Sequence, residues 1–256
     1  MDSTAPPAAV LEALTDRLHE RGRLRVWSLV VTVFGDAIVP RGGRVALAVL
    51  QELAARLRVE PGALRTALSR LAGDGWVERE RQGRNSFFSL GAQGRHAFDL
   101  ATRRIYAGGP PAWDGRWTVA IAPPGQGEAG AAELQALGFV RAAAGVYLRP
   151  DSEGAPDAAG ALSGMLVVRG ESAAHPEALR ELWPSRETAA AYDAFIAAFS
   201  PLRARLAGGA ALLPLDAMAA RTLLIHEWRR IVLRDPGVPP ALWPRDWPGE
   251  AARGLA

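Results

Sequence analysis

The sequence predicts an α+β protein, and three features of its apolar patterning carry that prediction. Helical periodicity runs through the first hundred residues and is interrupted by one short hairpin between Trp76 and Leu90. A Gly- and Pro-rich stretch, Tyr106 to Asp114, ends that regime, and beyond it period-two alternation surrounds a single short helix. The last third returns to helical spacing. The divisions that follow are an N-terminal arm over 1–22, a first domain over 23–106, a linker over 107–115, a middle domain over 116–184 and a helical domain over 185–256.

Residues 1–22 begin rich in Ala and Pro and carry only Leu11, Leu14 and Leu18 at helical spacing, so a frayed arm is expected. Arg23 to Phe34 reads as a helix with Val26, Leu29, Val30 and Val33 inward, stopped by Gly35-Asp36. Pro40 and Gly42-Gly43 make a tight connection. Arg44 to Leu57 reads as a second helix with Leu47, Leu50, Leu53, Ala54 and Leu57 as its core face. Pro61 suits the first turn of a third, in which Leu64, Ala67, Leu68 and Leu71 share one face and leave Arg65, Thr66, Ser69 and Arg70 on the other. Gly73 and Asp74-Gly75 end it, and two short strands follow around the turn Gln82 to Asn85. A helix through Ile105, carrying Ala97, Phe98 and Ala101, packs back on the first. Three helices followed by a basic hairpin are the plan of a winged helix-turn-helix.

Past the linker, Trp117 to Ala122 alternates like a strand, Gly130 to Leu137 suits a helix, and Gly145 to Leu148 and Leu162 to Val168 suit strands. With a helix near His175 to Leu182, this βαββ order fits a ferredoxin-like unit. Tyr192, Phe195, Ile196 and Phe199 share a face of a helix starting near Arg186, with Ser200-Pro201 read as the cap and first turn of its continuation. Pro214 opens a helix to about Leu233 that Asp235-Pro236-Gly237 breaks. The Pro-rich tail is held by Trp243 and Trp247.

Composition bounds the chemistry. With 0 Cys there is no disulfide, thiolate metal site or thiol switch. The longest apolar run, Val26 to Phe34, is about half the roughly 20 residues a membrane span requires, and a cytoplasmic protein is expected. The net charge of +3 hides an asymmetry, because residues 21–104 hold 15 Arg against 7 acids while both flanks are acidic. A basic surplus confined to one segment supplies the phosphate term of nucleic-acid binding. All 30 basic residues are Arg, with no Lys.

On this reading Arg65, Thr66 and Ser69 enter a major groove, where Arg pairs bidentately with guanine and hydroxyls reach base or phosphate. Arg70 divides between phosphate and a salt bridge to Asp74 or Glu78. Arg84 and Asn85 stand at the hairpin tip, with Arg79 and Arg81 behind them, for phosphate or minor-groove contact. Arg41 and Arg44 flank the glycine pair and touch backbone phosphate or anchor the loop. An isolated basic helix is more often a solvated face. The order of the helices, the hairpin and the charge together favour DNA.

At Ser28 to Asp36, Val39-Pro40-Arg41-Gly42-Gly43, Arg65-Thr66-Ala67, Arg70-Leu71, Asp74-Gly75-Trp76, Arg103 to Tyr106, Trp113 to Thr118, Ile225 to Arg230, Asp235-Pro236 and Asp246 to Gly249, the sequence resembles the PaaX family of bacterial phenylacetic-acid-pathway repressors. These strings span nearly the whole chain. The resemblance implies a homodimeric regulator with a winged N-terminal domain, a middle domain similar to the CRISPR-associated Cas2 fold and a C-terminal helical domain. It also implies a pseudo-palindromic double-stranded DNA operator and release by an aryl- or acyl-CoA, with phenylacetyl-CoA the first compound to test and a non-CoA ligand the alternative.

For such an effector, Arg229 and Arg230 could hold phosphates and Trp228 could stack on a ring, beside His226. Packing is the competing reading for Trp228, and a structural role for the lone His226. No catalytic residue, cofactor or metal site is expected: there is no phosphate-binding Gly-rich loop or His-Glu-x-x-His pattern, and Leu162-Ser163-Gly164 lacks the Gly that a nucleophile elbow needs. A Cas2-like metal-dependent nuclease, the rival reading, would need an acid at the end of the first middle strand, and Thr118 to Pro123 has none.

Overall fold

The computed structural model describes residues 6–20, 22, 24–110, 112–125, 130–152, 155–174, 180, 182–183, 186–235 and 237–256. They form helices and two antiparallel sheets in two compact units. The first comprises residues 1–106, 194–230 and 254–256, and the second residues 107–193 and 231–253. The segment 185–256 is thus divided between the two units. An apolar helix face is completed by whichever surface it packs on, and that surface can be distant in sequence.

In the first unit, α1 (Pro7–Glu20) is a packed helix and not the frayed arm expected: Val10, Leu11, Leu14 and Leu18 are buried. Thr15 can join them because its hydroxyl donates to the Leu11 carbonyl at 2.9 Å, leaving no unpaid polar group. The opposite face is tied down by Arg58, whose guanidinium reaches Asp16 and Glu12 at 2.7 Å each, while Arg17 donates to the Ala194 carbonyl. Few apolar residues suffice for a helix whose polar side is also anchored.

Helix α2 (Val26–Val33) does not stop at Gly35-Asp36. It widens into a π-helical turn, Phe34–Ile38, and tightens into a 3-10 turn, Val39–Arg41. Gly35 is required there, since a Cβ at this position would lie 2.6 Å from the Phe98 ring. The chain reverses through Gly42 and Gly43, whose φ values of +97° and +72° favour glycine.

The helix expected from Arg44 begins instead as a strand, β1 (Arg44–Ala46), and only then becomes α3 (Leu47–Arg56). Pairing explains the difference: Arg44, Val45 and Ala46 stand opposite Ser89, Phe88 and Phe87 of β3 (Asn85–Leu90), which also pairs with β2 (Val77–Gln82). The resulting order is β1-β3-β2. Helix α4 (Pro61–Gly73) buries Leu64, Ala67, Leu68 and Leu71 as expected. Val30, Leu50, Leu53 and Leu64 from α2, α3 and α4 meet in one apolar core. Helix α5 (Ala92–Ile105) brings Phe98 onto Gly35.

The second unit holds β4 (Trp113–Ile121), α6 (Ala131–Ala136), β5 (Val140–Ala143), β6 (Val146–Ser152) and β7 (Leu166–Glu171). Their order is β5-β6-β4-β7 with every neighbouring pair antiparallel. The four-residue β5 was missed in the sequence, and β4 starts inside the segment read as linker. It includes Asp114, whose Oδ1 accepts from the Arg116 backbone N–H at 3.0 Å. One face packs Ala120, Leu134, Phe139, Tyr147 and Leu162; the other places Trp117 with Trp183, Val238 and Leu242. The helix expected near His175 to Leu182 lies mostly outside the described residues.

Of the C-terminal elements, α7 (Arg186–Ala207) runs unbroken through Pro201, α8 spans Pro214–Val232 and α9 spans Gly249–Arg253. The Pro-rich tail is packed: Leu242 is fully buried and Trp247 meets Tyr192 edge to face at 5.4 Å. Among the described residues no helix is long and apolar enough to cross a membrane.

Gly35→Ala is expected to lower unfolding free energy by about 1–3 kcal/mol through the clash with Phe98. Urea denaturation checks this, as a lower midpoint with an unchanged slope.

Candidate nucleic-acid interface

The two faces of α4 differ as its 3.6-residue period dictates. Arg65, Thr66, Ser69 and Arg70 are all exposed, on the side opposite Leu64, Leu68 and Leu71. The Thr66 hydroxyl donates to the Gly62 carbonyl at 3.0 Å, which leaves its oxygen able to accept. Arg70 stands 3.6 Å from Asp74, a solvated pair worth little.

The hairpin sorts its arginines by what holds them. Gln82 pairs with Asn85 across a two-residue loop, where Gly83 takes φ +57° and Arg84 forms the tip. Arg79 is held by the Ser86 hydroxyl at 2.9 Å. Arg44 crosses Phe87 of the middle strand, 3.7 Å above the ring centroid, to reach Glu80 on the far strand at 3.1 Å. Arg41 folds back to donate to the Ala37 carbonyl. Among the described residues, Arg65, Arg81 and Arg84 have no ion pair or side-chain hydrogen bond. They keep their guanidinium groups available at almost no cost to the fold. The sequence could not make this division, because it depends on β1 lying beside β3.

The C-terminal candidates meet the N-terminal helices within the same unit. Trp228 is buried, and its indole N–H donates to the Ile105 carbonyl at 2.8 Å. Arg229 donates to the Ser28 carbonyl and, at 3.0 Å, to the Thr32 hydroxyl. Thr32 Oγ1 donates to the Ser28 carbonyl and lies 3.0 Å from Nδ1 of His226. With the single hydroxyl proton directed at Ser28, His226 must carry its proton on Nδ1 and donate it to Thr32. These three side chains are occupied by packing and hydrogen bonds, and only Arg230, about half exposed and 3.8 Å from Glu227, faces outward.

One residue group escaped the sequence reading. Asp36 is 3% exposed at its side chain, yet it accepts from Arg221 Nε at 2.7 Å, from Arg221 Nη2 at 2.8 Å and from the Tyr106 hydroxyl at 2.8 Å. Burial first, then the Asp36 hydrogen bond, raises the Tyr106 phenol well above its ordinary range, whereas the bond to Asp36 raises Arg221. An acid inside the apolar run Val30 to Val39 was the available signal. Beside Gly35 it reads locally as a helix stop.

Residues 25–94 match the model of PaaX-like proteins and residues 183–256 that of the PaaX-like protein C-terminal domain. The chain is 32% identical over 244 residues to the transcriptional repressor PaaX of Escherichia coli K12, covering 89% of this chain and 77% of that one. The chain belongs to the PaaX family. Within the matched 25–94 segment of this PaaX-family chain lie every exposed residue of α4 and the whole hairpin. The fold is also similar to that of uncharacterized protein Rv0674 from Mycobacterium tuberculosis, with a TM-score of 0.58 at 22% identity over 89% of this chain and 91% of that one.

The buried His226 is expected to lower the stability of this PaaX-family protein in acid. Burial, then Arg229 and Arg230, push its imidazole from 6.5 down to about 3. The unfolded chain therefore takes up a proton below pH 6.5 that the folded chain refuses. The contribution is whole above pH 6.5 and is lost as pH falls toward 3. Between pH 7 and pH 5 the loss from this residue is about 2 kcal/mol. Denaturant titrations at both pH values should show a drop smaller by that amount in His226→Gln.

Proposed function

We propose that this chain is a homodimeric, ligand-responsive transcriptional repressor, a regulator and not an enzyme. Its winged helix-turn-helix, over residues 23–106, binds the half-sites of a pseudo-palindromic operator. The observation that carries this reading is the row Arg65, Thr66 and Ser69 exposed on α4, beside a hairpin whose Arg81 and Arg84 are unengaged. Helix α4 enters the major groove, where Arg65 reads guanine and the hydroxyls of Thr66 and Ser69 contact base edge or phosphate. Arg84 and Asn85 at the hairpin tip, with Arg81, take backbone phosphate or the minor groove. Arg70 adds a phosphate contact from its solvated pair. Arg41 and Arg44 brace the structure that presents the helix.

The order β5-β6-β4-β7, all antiparallel, supports a ferredoxin-like, Cas2-like middle domain that serves dimerisation. The name of the Escherichia coli relative, a transcriptional repressor, supports repression. An aryl- or acyl-CoA of the phenylacetyl-CoA type, from aryl-acetate catabolism, acts as the effector. It binds the state that DNA disfavours, so operator must weaken effector binding by the same factor, typically 5- to 150-fold for a coupling of about 1–3 kcal/mol.

Operator-shift titrations at matched salt test the reading. Arg65→Ala should cost about 1–3 kcal/mol and relax base preference at one position in each half-site. Arg84→Ala should weaken all DNA alike and lower the slope of log K against log salt by about 1. Unchanged operator binding by Arg65→Ala would overturn the placement of α4 in the groove.

A further inference from the structure

The second unit contains a cavity of about 230 Å³ against its four-stranded sheet, lined by Trp117, Val119, Leu148, Val168, Gly170, Glu171 and Ser172. The register puts most of this lining on one face. Trp117 stands opposite Gly170, and Val119 opposite both Val168 and Leu148, so these five positions face away from Ala120 and its core, while Glu171, opposite Arg116, borders the recess from the strand edge.

Two features distinguish this recess from unfilled packing. Trp117 forms an aromatic wall that is locked in place: its indole N–H donates to Ser172 Oγ at 2.9 Å, and its ring meets Trp113 edge to face at 5.2 Å and Trp183 at 5.7 Å. Gly170 interrupts a strand with no local need for glycine. A Cβ there would meet nothing within 4 Å, and its φ lies outside the left-handed region. Glycine inside a strand weakens it and often marks the approach of a ligand. Here its missing side chain is what leaves the recess open.

The chemistry of the lining selects the occupant. Among the described lining residues all but Glu171 are neutral and most are apolar, so they favour an uncharged hydrocarbon group over a phosphate or a carboxylate. An apolar cavity of about 150 Å³ takes benzene, and by that scale 230 Å³ admits about nine non-hydrogen atoms. This is an aryl ring with a two-carbon acyl arm. Val168 is 50% exposed and leaves the recess open on the β7 side, so a long substituent can run out to solvent.

We infer that this cavity receives the aryl-acyl end of an acyl thioester, with Trp117 against the ring and Gly170 providing the space. The inference rests on the effector reading above and places it in the second unit in preference to the occupied His226, Trp228 and Arg229.

The test is release of operator-bound protein by phenylacetyl-CoA and by acetyl-CoA, in wild type, Gly170→Val and Val168→Asp. Gly170→Val fills the recess and Val168→Asp places a charge on its half-exposed wall; melting temperature and ligand-free operator binding check their folding. Wild type should release with phenylacetyl-CoA and not with acetyl-CoA, while each variant should need at least 10-fold more thioester. If both variants release like wild type, the cavity assignment is overturned and the effector reading stands. If no aryl- or acyl-CoA releases the wild type, the effector reading falls and takes this inference with it. Light scattering supplies a further arm. Loss of the dimer in Val168→Asp would make the face an interface between copies and would also overturn the assignment.

Discussion

The first unit depends on one buried carboxylate. Asp36 sits in a π-helical turn among Phe34, Ala37 and Ile38, all buried, where an unpaired charge would cost several kcal/mol. It is retained because Arg221 offers two parallel N–H groups and Tyr106 a hydroxyl, so that three elements distant in sequence must converge on two oxygens. The pair need not add net stability over a hydrophobic replacement. What it adds is geometry: α2, the end of α5 and α8 can satisfy the acid in one arrangement only.

The same physics recurs about one turn earlier on α2 and two turns further along α8. Thr32 lies four residues before Asp36, and Arg229 eight after Arg221, so a second polar cluster ties α2 to α8. Arg229 is depressed by burial and tolerated because two oxygens accept from it. A one-residue slip of either helix would leave the buried Asp36 and the largely buried Arg229 without the partners that offset their burial. Between them the clusters specify register where Leu and Val packing would allow several.

Legibility in the sequence followed the range of the interactions. The face of α4 was readable because Leu64, Ala67, Leu68 and Leu71 state their period locally, and the hairpin because Gly83 marks its turn. Short strands were not: β1 and β5 are three and four residues long and exist only through their partners β3 and β6. The frayed reading of α1 failed for a related reason, since its anchors Arg58 and Ala194 are far along the chain. At the site, exposure on α4 followed from periodicity, but the capture of Arg44 by Glu80 and the burial of His226 were tertiary facts. Asp36 was visible as an oddity and misread for want of its partners.

Every cation on α4 and on the hairpin is a guanidinium, since the chain contains no Lys. Acyl thioesters transfer their acyl group to amines, and a lysine-bearing surface loses charge when they do. Side chains that lack an amine cannot be modified in this way. A repressor proposed to respond to such thioesters thus carries, on its proposed DNA-facing surface, cations that their accumulation leaves chemically intact, and its response to them stays a matter of reversible occupancy.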